Sequence, residues 1–225
     1  MAKVRKKRKR LRIKRFLIFL CILSLFVVAF YFLLNVSINH ITVSGNKVLE
    51  EQEVLSLSRL TTHDSFLKVN TFSVKKKLLK YPLIKDVKIK RKLPNNIEII
   101  IKEKKMLYYV ESENYVVLED KTKIQGFGDL VPTLVGEVPS NKYSSFIKQM
   151  NKINDSILRE VSEIYYKPTE LDEDRFLLAM DDGNYVYLTL TKFKHLNYYD
   201  EMLPEFNGKK GILYLDSGNT FQIQE

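Results

Sequence analysis

The chain is poor in the residue types that most often build metal and thiol sites. Among its 225 residues it has one cysteine, Cys21, and three histidines, His40, His63 and His195. The histidines fall in three separate predicted elements, without an HxxxH spacing or a cysteine companion, so they do not indicate a zinc site. Cys21 lies within a long apolar run, and the rest of the chain therefore has no disulfide and must be held together by its core.

Other signals of catalysis are weak as well. Asp172–Asp174 and Asp181–Asp182 lie at the ends of predicted strands, where acids commonly form turns, and they lack the glycine and glutamate spacing of a calcium loop. Gly126-Phe127-Gly128 lacks the third glycine and the strand-to-helix context of a dinucleotide-binding loop. No nucleophile with a companion base can be identified. The sequence therefore predicts no catalytic residue, no cofactor and no metal, and we expect a protein that is not an enzyme.

The excess of positive charge is confined to the N-terminus. The formal net charge is +10, and the first fifteen residues, MAKVRKKRKRLRIKR, contain ten Lys or Arg and no acid. The other 210 residues carry 27 basic and 27 acidic side chains. A short basic run can bind nucleic acid, but one that directly precedes an apolar run is more simply explained by membrane topology. We therefore expect no nucleic-acid partner.

The apolar run is Phe16–Leu34, nineteen residues without a charge. As a helix it would be roughly 28 Å long, close to the hydrocarbon thickness of a bilayer. A cleaved signal peptide would need a shorter run and a small-residue exit, whereas here the run ends in Tyr31-Phe32-Leu33-Leu34. The sequence predicts an uncleaved signal anchor over residues 16–35.

The flanking charges set the predicted orientation. The basic tail, residues 1–15, stays in the cytoplasm, helped by anionic lipid of the inner leaflet, and about 190 residues lie outside as a single-pass type II protein. An outside part without cysteine is compatible with a Gram-positive bacterium.

Charge also divides the outside part. Residues 36–105 carry 15 basic and 7 acidic side chains, whereas residues 106–225 carry 12 basic and 20 acidic ones. The segments are thus +8 and −8, and we predict two domains with these bounds. The basic one, next to the membrane, would be attracted by anionic headgroups or wall teichoic polymers.

The segment 36–105 is predicted to fold as strand, helix, helix, strand, strand. Ile38–Val43 is followed by a turn at Gly45-Asn46, a helix over Glu50–Leu60 and a second helix that Ser73 can cap and Pro82 ends. The stretch VKIKRKLPNNIEIIIKEK then alternates like a hairpin, with its lysines toward solvent. The basic surface of this domain comprises Lys75, Lys76, Lys77, Lys80, Lys88, Lys90 and Lys92.

These features resemble a POTRA domain, and its position after a single anchor is typical of the bacterial division proteins DivIB and FtsQ. The resemblance rests on a strand ending in V-x-G-N, two helices and the hairpin pattern around R-x-x-P-N. The matching residues are Val43, Gly45, Asn46, Pro82, Ile84, Lys85, Val87, Ile89, Arg91, Leu93, Pro94, Asn95, Ile97, Ile99, Ile101 and Glu103. Leu49 and Glu50 depart from the Ser or Thr cap that the family often has before the first helix.

The segment 106–225 is predicted to be mostly hairpins, over 107–118, 175–188 and 212–224. Two helices interrupt them: one carries Phe146, Met150, Ile153 and Ile157 on one face, and the other runs from about Thr191 to Leu203, with Phe193, Leu196 and Leu203 inward, and stops at Pro204. The patterns at 199–204 and 214–218 resemble the C-terminal β domain of DivIB and FtsQ. The predicted fold class is α+β: one transmembrane helix, a POTRA domain (β-α-α-β-β) and a mixed β-sheet domain with helices.

The last strand, Asn219–Gln224, is expected at a sheet edge, where its unpaired backbone groups could accept a partner strand. The resemblance implies that this edge and the adjoining helix receive the membrane-proximal segments of FtsL-like and DivIC- or FtsB-like membrane proteins, with Tyr214, Leu215, Phe221 and Ile223 as contact residues. For Phe221 and Ile223, plain core packing is an equal alternative at this point.

The family implies a non-catalytic scaffold of the cell-division septum that binds and stabilises such partners in the divisome, concentrated at the septal cell membrane. Two alternatives stay open from the residues: a POTRA-containing receptor of a secretion or assembly system, and a signal-anchored wall enzyme. The basic POTRA surface could meet lipid, wall polymer or another division protein.

Overall fold

The computed structural model describes residues 13–224, and its first element is the apolar helix α1, Ile13–Leu34. By length and composition α1 can cross a membrane, and its most apolar window has no surface buried against the rest of the protein. It fits the predicted single transmembrane span, although it begins before Phe16 because Lys14 and Arg15 are also good helix formers. The remainder of the predicted basic tail, residues 1–12, lies outside the described residues.

The chain forms two compact units. One contains the chain up to Lys80 together with Asp86–Lys102, and the other contains Tyr81–Lys85 together with the chain from Glu103 onward.

After α1, the first unit carries two helices and a three-stranded sheet, in the predicted order β-α-α-β-β. The elements are β1 Ile41–Ser44, α2 Glu51–Ser58, α3 Thr71–Leu78, β2 Ile84–Lys92 and β3 Asn96–Glu103. β3 is central, with β1 parallel to it on one side and β2 on the other. This arrangement confirms the predicted POTRA-type fold.

Alternation along the strands explains the core of this unit. Val87, Ile97, Ile99 and Ile101 are buried, whereas the lysines of β2 face solvent, as predicted. The start of α3 differs from the prediction: Asn70, not Ser73, is the N-cap, and its side-chain oxygen accepts the Ser73 N–H at 3.1 Å. The helix therefore begins three residues earlier, at Thr71, since Asn is at least as good a cap as Ser.

The second unit is built on one mixed nine-stranded sheet. Its strands are β4 Met106–Val110, β5 Tyr115–Leu118, β6 Lys123–Gln125, β7 Thr133–Val135, β8 Val161–Tyr166, β9 Arg175–Met180, β10 Tyr185–Thr189, β11 Gly211–Tyr214 and β12 Thr220–Ile223. Their order across the sheet is β12-β11-β10-β9-β8-β7-β4-β5-β6. The three predicted hairpins correspond to β4–β5, β9–β10 and β11–β12. The strands β6, β7 and β8 were not predicted.

Helices cover one face of this sheet, around an aromatic centre in which Phe146 stacks on Phe176 at 5.2 Å between ring centroids. The predicted helix through Phe146 and Ile157 is two helices, α4 Ser140–Met150 and α5 Asp155–Arg159. The chain turns between them because the Asn151 side chain donates to the Glu119 and Ile147 carbonyls, an alternative to continued helix.

The predicted helix Thr191–Leu203 is also wrong in type. A 3-10 helix over Leu190–Tyr198 leads into the short α6, Tyr199–Met202, and then into a second 3-10 turn, Leu203–Phe206. Pro204 does not end it, because a proline in the first turn of a helical segment lacks only an N–H that has no partner there. Phe193 and Leu196 are buried as predicted, and Leu203 is partly buried.

Candidate partner-binding surfaces

The strand β12 lies at the edge of the nine-stranded sheet, as predicted for the last strand. It pairs antiparallel with β11 only, with Leu213 opposite Phe221 and Gly211 opposite Ile223. Its second edge has no neighbouring strand among the described residues. An open edge of this kind can accept a further strand.

The register shows which backbone groups are available at that edge. The Gln224 N–H donates to the Lys210 carbonyl at 3.0 Å, so Gln224 directs its backbone toward β11. Alternate residues of an antiparallel strand direct their N–H and C=O groups to opposite sides. Phe221 and Ile223 therefore present theirs to the open edge, whereas Gln222 bonds inward.

The side chains of Phe221 and Ile223 lie on the same side of the sheet but differ in environment. The Phe221 ring stacks on Phe206 with centroids 3.9 Å apart and packs against the core. The Ile223 side chain is 48% exposed. Phe221 therefore serves mainly in core packing, whereas the side chain of Ile223 is available to contact a partner.

Tyr214 lies on the opposite face of the sheet, within a row of stacked groups. Its ring stacks on Tyr187 at 5.5 Å, and its hydroxyl donates to Oε1 of Gln222 at 3.1 Å. The Arg175 guanidinium lies 3.7 Å from the Tyr187 ring centroid and pairs with Asp216 at 2.7 Å. This row holds the Tyr214 ring in a fixed position beside the edge strand.

Leu215, the fourth residue predicted to contact a partner, is fully buried. Its N–H and that of Asp216 both donate to the Tyr187 carbonyl, at 2.8 and 3.1 Å, and this pairing turns the side chain of Leu215 into the core. We therefore correct that prediction: Leu215 packs beneath the surface and does not itself present a contact.

Close backbone approach explains one glycine of this region. A Cβ added at Gly211 would lie 2.1 Å from the Gln222 carbonyl oxygen, a distance no real side chain tolerates. The Gly211 N–H donates to the buried Asn184 side chain at 2.9 Å. These contacts fix β11 and, through it, the position of β12.

Sequence reasoning missed Tyr187, Arg175 and Phe206. The alternation of Tyr185–Leu188 could have placed Tyr187 on the outer face. The stacking itself depends on the parallel pairing of β10 with β11, which are separated by a helical crossover and carry no local signal of their pairing.

The predicted basic surface of the first unit is present, with two members engaged in ion pairs. Lys75 pairs with Asp86 at 2.9 Å and Lys92 with Glu98 at 3.1 Å. The hydrogen bond from Lys75 holds the pKa of Asp86 below its ordinary value. The other five are exposed: Lys76, Lys77, Lys80, Lys88 and Lys90.

Three carboxylates of the second unit, Asp181, Asp182 and Asp200, lie close enough to Glu160 to influence it. Partial burial, followed by the charge and hydrogen bond of Asp200 and by the charges of Asp182 and Asp181, raises the pKa of Glu160 above its ordinary value. Within residues 13–224, no three His, Cys, Asp or Glu side chains are arranged to hold a metal ion.

Comparison with known proteins agrees with this architecture. Residues 36–104 match the family model described as POTRA domain, FtsQ-type. The chain is 30% identical to the cell division protein DivIB of Geobacillus kaustophilus, over 97% of this chain and 88% of that protein. It is 29% identical to DivIB of Bacillus subtilis, over 98% and 88%, and 27% identical to DivIB of Listeria monocytogenes, over 97% and 85%.

Among solved structures, it is similar to the major extracytoplasmic domain of DivIB from Geobacillus stearothermophilus. The match covers 47% of this chain and 96% of that domain, at 25% identity and a TM-score of 0.38.

Proposed function

Since the chain belongs to the DivIB family of cell division proteins, we propose that it is a non-catalytic scaffold of the septum that binds membrane division partners through the open edge of β12. The partners we propose are FtsL-like and DivIC- or FtsB-like proteins, whose membrane-proximal segments would add to the sheet. Tyr214, Phe221 and Ile223 are the proposed contact residues. The edge position of β12 is the observation that carries this proposal.

We propose the following organisation for this role. Residues 1–15 form a cytoplasmic tail and 16–35 the anchor, while 36–105 form the POTRA domain and 106–225 the β domain outside the cell. Septal concentration of the protein is part of the proposal.

Two properties of the edge favour a strand as its ligand. The outward backbone groups of Phe221 and Ile223 give a partner strand main-chain hydrogen bonds, and the exposed half of Ile223 gives it apolar contact. On the other face, the stacked Tyr214 ring stands beside Gln222 in a fixed position and offers a flat aromatic surface.

The test is recovery of partners from solubilised membranes with the full chain as bait. Ile223→Asp places a charge in the proposed contact and should lower recovery of the FtsL-like and DivIC-like proteins at least tenfold, because a charge buried without a partner is costly. The matched control is Leu171→Asp, an apolar side chain that is 100% exposed on the same unit. Equal recovery with both variants would refute binding at the edge.

The basic POTRA surface is proposed as a second contact, with anionic lipid or wall polymer. Its support is the exposure of Lys76 and Lys77 on α3 and of Lys80 just after it. Reversing these charges should weaken binding of a soluble fragment, residues 36–225, to anionic vesicles at low salt. Unchanged affinity would contradict the idea.

A further inference from the structure

Three segments of the first unit meet beside the end of the membrane helix. The Ser65 hydroxyl donates to the carbonyl of Leu34, the last residue of α1. Lys68 donates to the Asn35 side chain at 2.9 Å, and the Phe66 N–H donates to the Val36 carbonyl at 2.9 Å. The loop between α2 and α3 is thus bound directly to the residues that leave the membrane.

The tip of the β2–β3 hairpin is bound to the same place. The Asn95 side chain donates to the Ser37 carbonyl at 2.8 Å, and the Asn39 N–H donates to the Asn95 carbonyl at 2.8 Å. Arg91 joins the two segments by donating to the Val69 carbonyl at 2.6 Å. The loop and the hairpin tip therefore form one surface, which we call the base of the POTRA domain: residues 64–72 and 91–96.

This base exposes three large apolar side chains. Phe72 is 75% exposed, Leu93 is 87% exposed and Leu67 is 40% exposed. Isolated exposed apolar residues are ordinary on protein surfaces, but Leu67 and Leu93 lie on segments bonded to the residues that follow α1, and Phe72 lies three residues after Val69, whose carbonyl Arg91 binds. An apolar environment at this surface would remove these side chains from water and so stabilise them.

The distance to the bilayer is short. Ser37, which the hairpin tip contacts, follows Leu34 by three residues, and this length of chain spans at most roughly 11 Å. The charge-free run of α1 matches the hydrocarbon thickness, so its end lies near the headgroup region, which is roughly 5 to 8 Å deep on each side. The side chains of the base are therefore within reach of the interface.

The charges around the base fit a lipid surface. Lys68 is next to Leu67, and Lys76 follows Phe72 by one helical turn on the exposed side of α3. Apolar tips rimmed by lysine are the composition of segments that lie in a membrane interface. A soluble protein partner would need no such proximity to the span.

We propose that Leu67, Phe72 and Leu93 insert into the membrane surface around the protein's own span, so that the POTRA domain rests on the bilayer. The ligand is a phospholipid surface, with apolar insertion as the main contribution and the lysines as support. The proposal rests on α1 acting as a membrane anchor, and it is independent of partner binding at β12.

The experiment uses the full chain with Cys21→Ser, one copy per lipid nanodisc, and a spin label at one introduced cysteine. Labels at Phe72→Cys and Leu93→Cys should be relaxed more by oxygen, which concentrates in lipid, than by a water-soluble nickel chelate. The control is Gln52→Cys. This residue is exposed and lies at the start of α2. The chain reaches α2 from the end of β1 that is farther from the hairpin tip. Its label should show the opposite preference.

A second arm separates insertion from attraction by charge. With the label at Leu67→Cys, replacing Phe72 and Leu93 by serine should lower the ratio of inserted to withdrawn states about tenfold per side chain. Adding 0.5 M salt, roughly a 4 Å screening length, should leave the unsubstituted protein inserted. The conservative pair Phe72→Leu and Leu93→Met should also remain inserted.

Two results would overturn the proposal. One is that the labels at Phe72 and Leu93 are as accessible to the nickel chelate as the label at Gln52. The other is that salt alone withdraws the label at Leu67, since insertion driven by apolar contact is insensitive to screening. Neither result would affect recovery of partners by the Ile223→Asp variant, so the proposed function is tested separately.

Discussion

Proline substitution distinguishes the two sides of β12, because proline removes a backbone N–H. At Ile223 the missing N–H is one that faces the open edge, so the sheet of the free protein keeps its ladder. At Gln222 the missing N–H is one that bonds inward to β11. The same change one residue apart should therefore affect binding in one variant and folding in the other.

The magnitudes follow from these positions. Ile223→Pro loses one hydrogen bond to a partner strand and leaves the partner's carbonyl unpaired, which costs about 1–3 kcal/mol, or roughly five- to 150-fold in affinity. Ile223→Ala, which keeps the N–H, loses only the contact of a half-exposed side chain, about 1 kcal/mol. Gln222→Pro should lower the free energy of unfolding by about 1–3 kcal/mol, which is several degrees in the thermal midpoint.

The assay is titration of the full chain in nanodiscs with the purified FtsL-like and DivIC-like partners, together with thermal unfolding followed by circular dichroism. We expect Ile223→Pro to bind at least fivefold more weakly than Ile223→Ala at an unchanged thermal midpoint. Equal affinities of these two variants would refute strand addition at this edge. A Gln222→Pro protein as stable as the wild type would refute the register itself.

Three further predictions concern stability. Phe146→Ala should lower the free energy of unfolding by about 3–5 kcal/mol in urea titration, because this fully buried ring stacks on Phe176. Gly45→Ala should cost more than Gly136→Ala in thermal midpoint: both glycines have positive φ, but only at Gly45 does a Cβ meet a carbonyl oxygen, 2.2 Å away. Glu160→Gln should raise stability at neutral pH, with no difference below pH 4.5, the ordinary pKa of the carboxyl.

The sign for Glu160 follows from its environment. Its pKa is raised in the folded protein, so ionisation is less favourable there than in the unfolded chain, and stability falls as pH rises through that interval. Glutamine at position 160 cannot ionise, so the Glu160→Gln variant does not lose stability in this way. A variant less stable than the wild type at neutral pH would contradict the argument. For Phe146, the control is Leu171→Ala, a fully exposed side chain of the same unit whose loss should change stability little.

Much of the fold follows from local patterns in the sequence. The charge-free run predicts α1, and the alternation around Val87 and Ile99 predicts the POTRA hairpin with its lysines in solvent. What failed was local as well: Asn70 took the cap expected at Ser73, and Asn151 broke a helix whose apolar spacing alone looked continuous. In both cases the side chain of an asparagine forms a hydrogen bond with the backbone, and the spacing of apolar residues carries no information about such bonds.

The candidate site could be predicted only in outline. The edge position of the last strand was correct, but which of its neighbours face solvent depends on pairing between distant segments. Leu215 is buried because its backbone bonds to Tyr187 across the parallel β10–β11 pair. The base of the POTRA domain likewise brings together Leu67 and Leu93, which are far apart in sequence. Contacts between such distant segments depend on the topology of the fold and cannot be predicted from local sequence patterns.

The place of β12 in the chain has a consequence for biogenesis. A polypeptide is synthesised from its N-terminus, so β12 is made after every other strand of the nine-stranded sheet. A chain cut off between Tyr214 and Thr220 would still carry the apolar helix, the POTRA domain and the other eight strands, but not the edge proposed to bind partners. Recruitment through that edge would thus act as proofreading, because only a chain translated past β12 could enter the assembly.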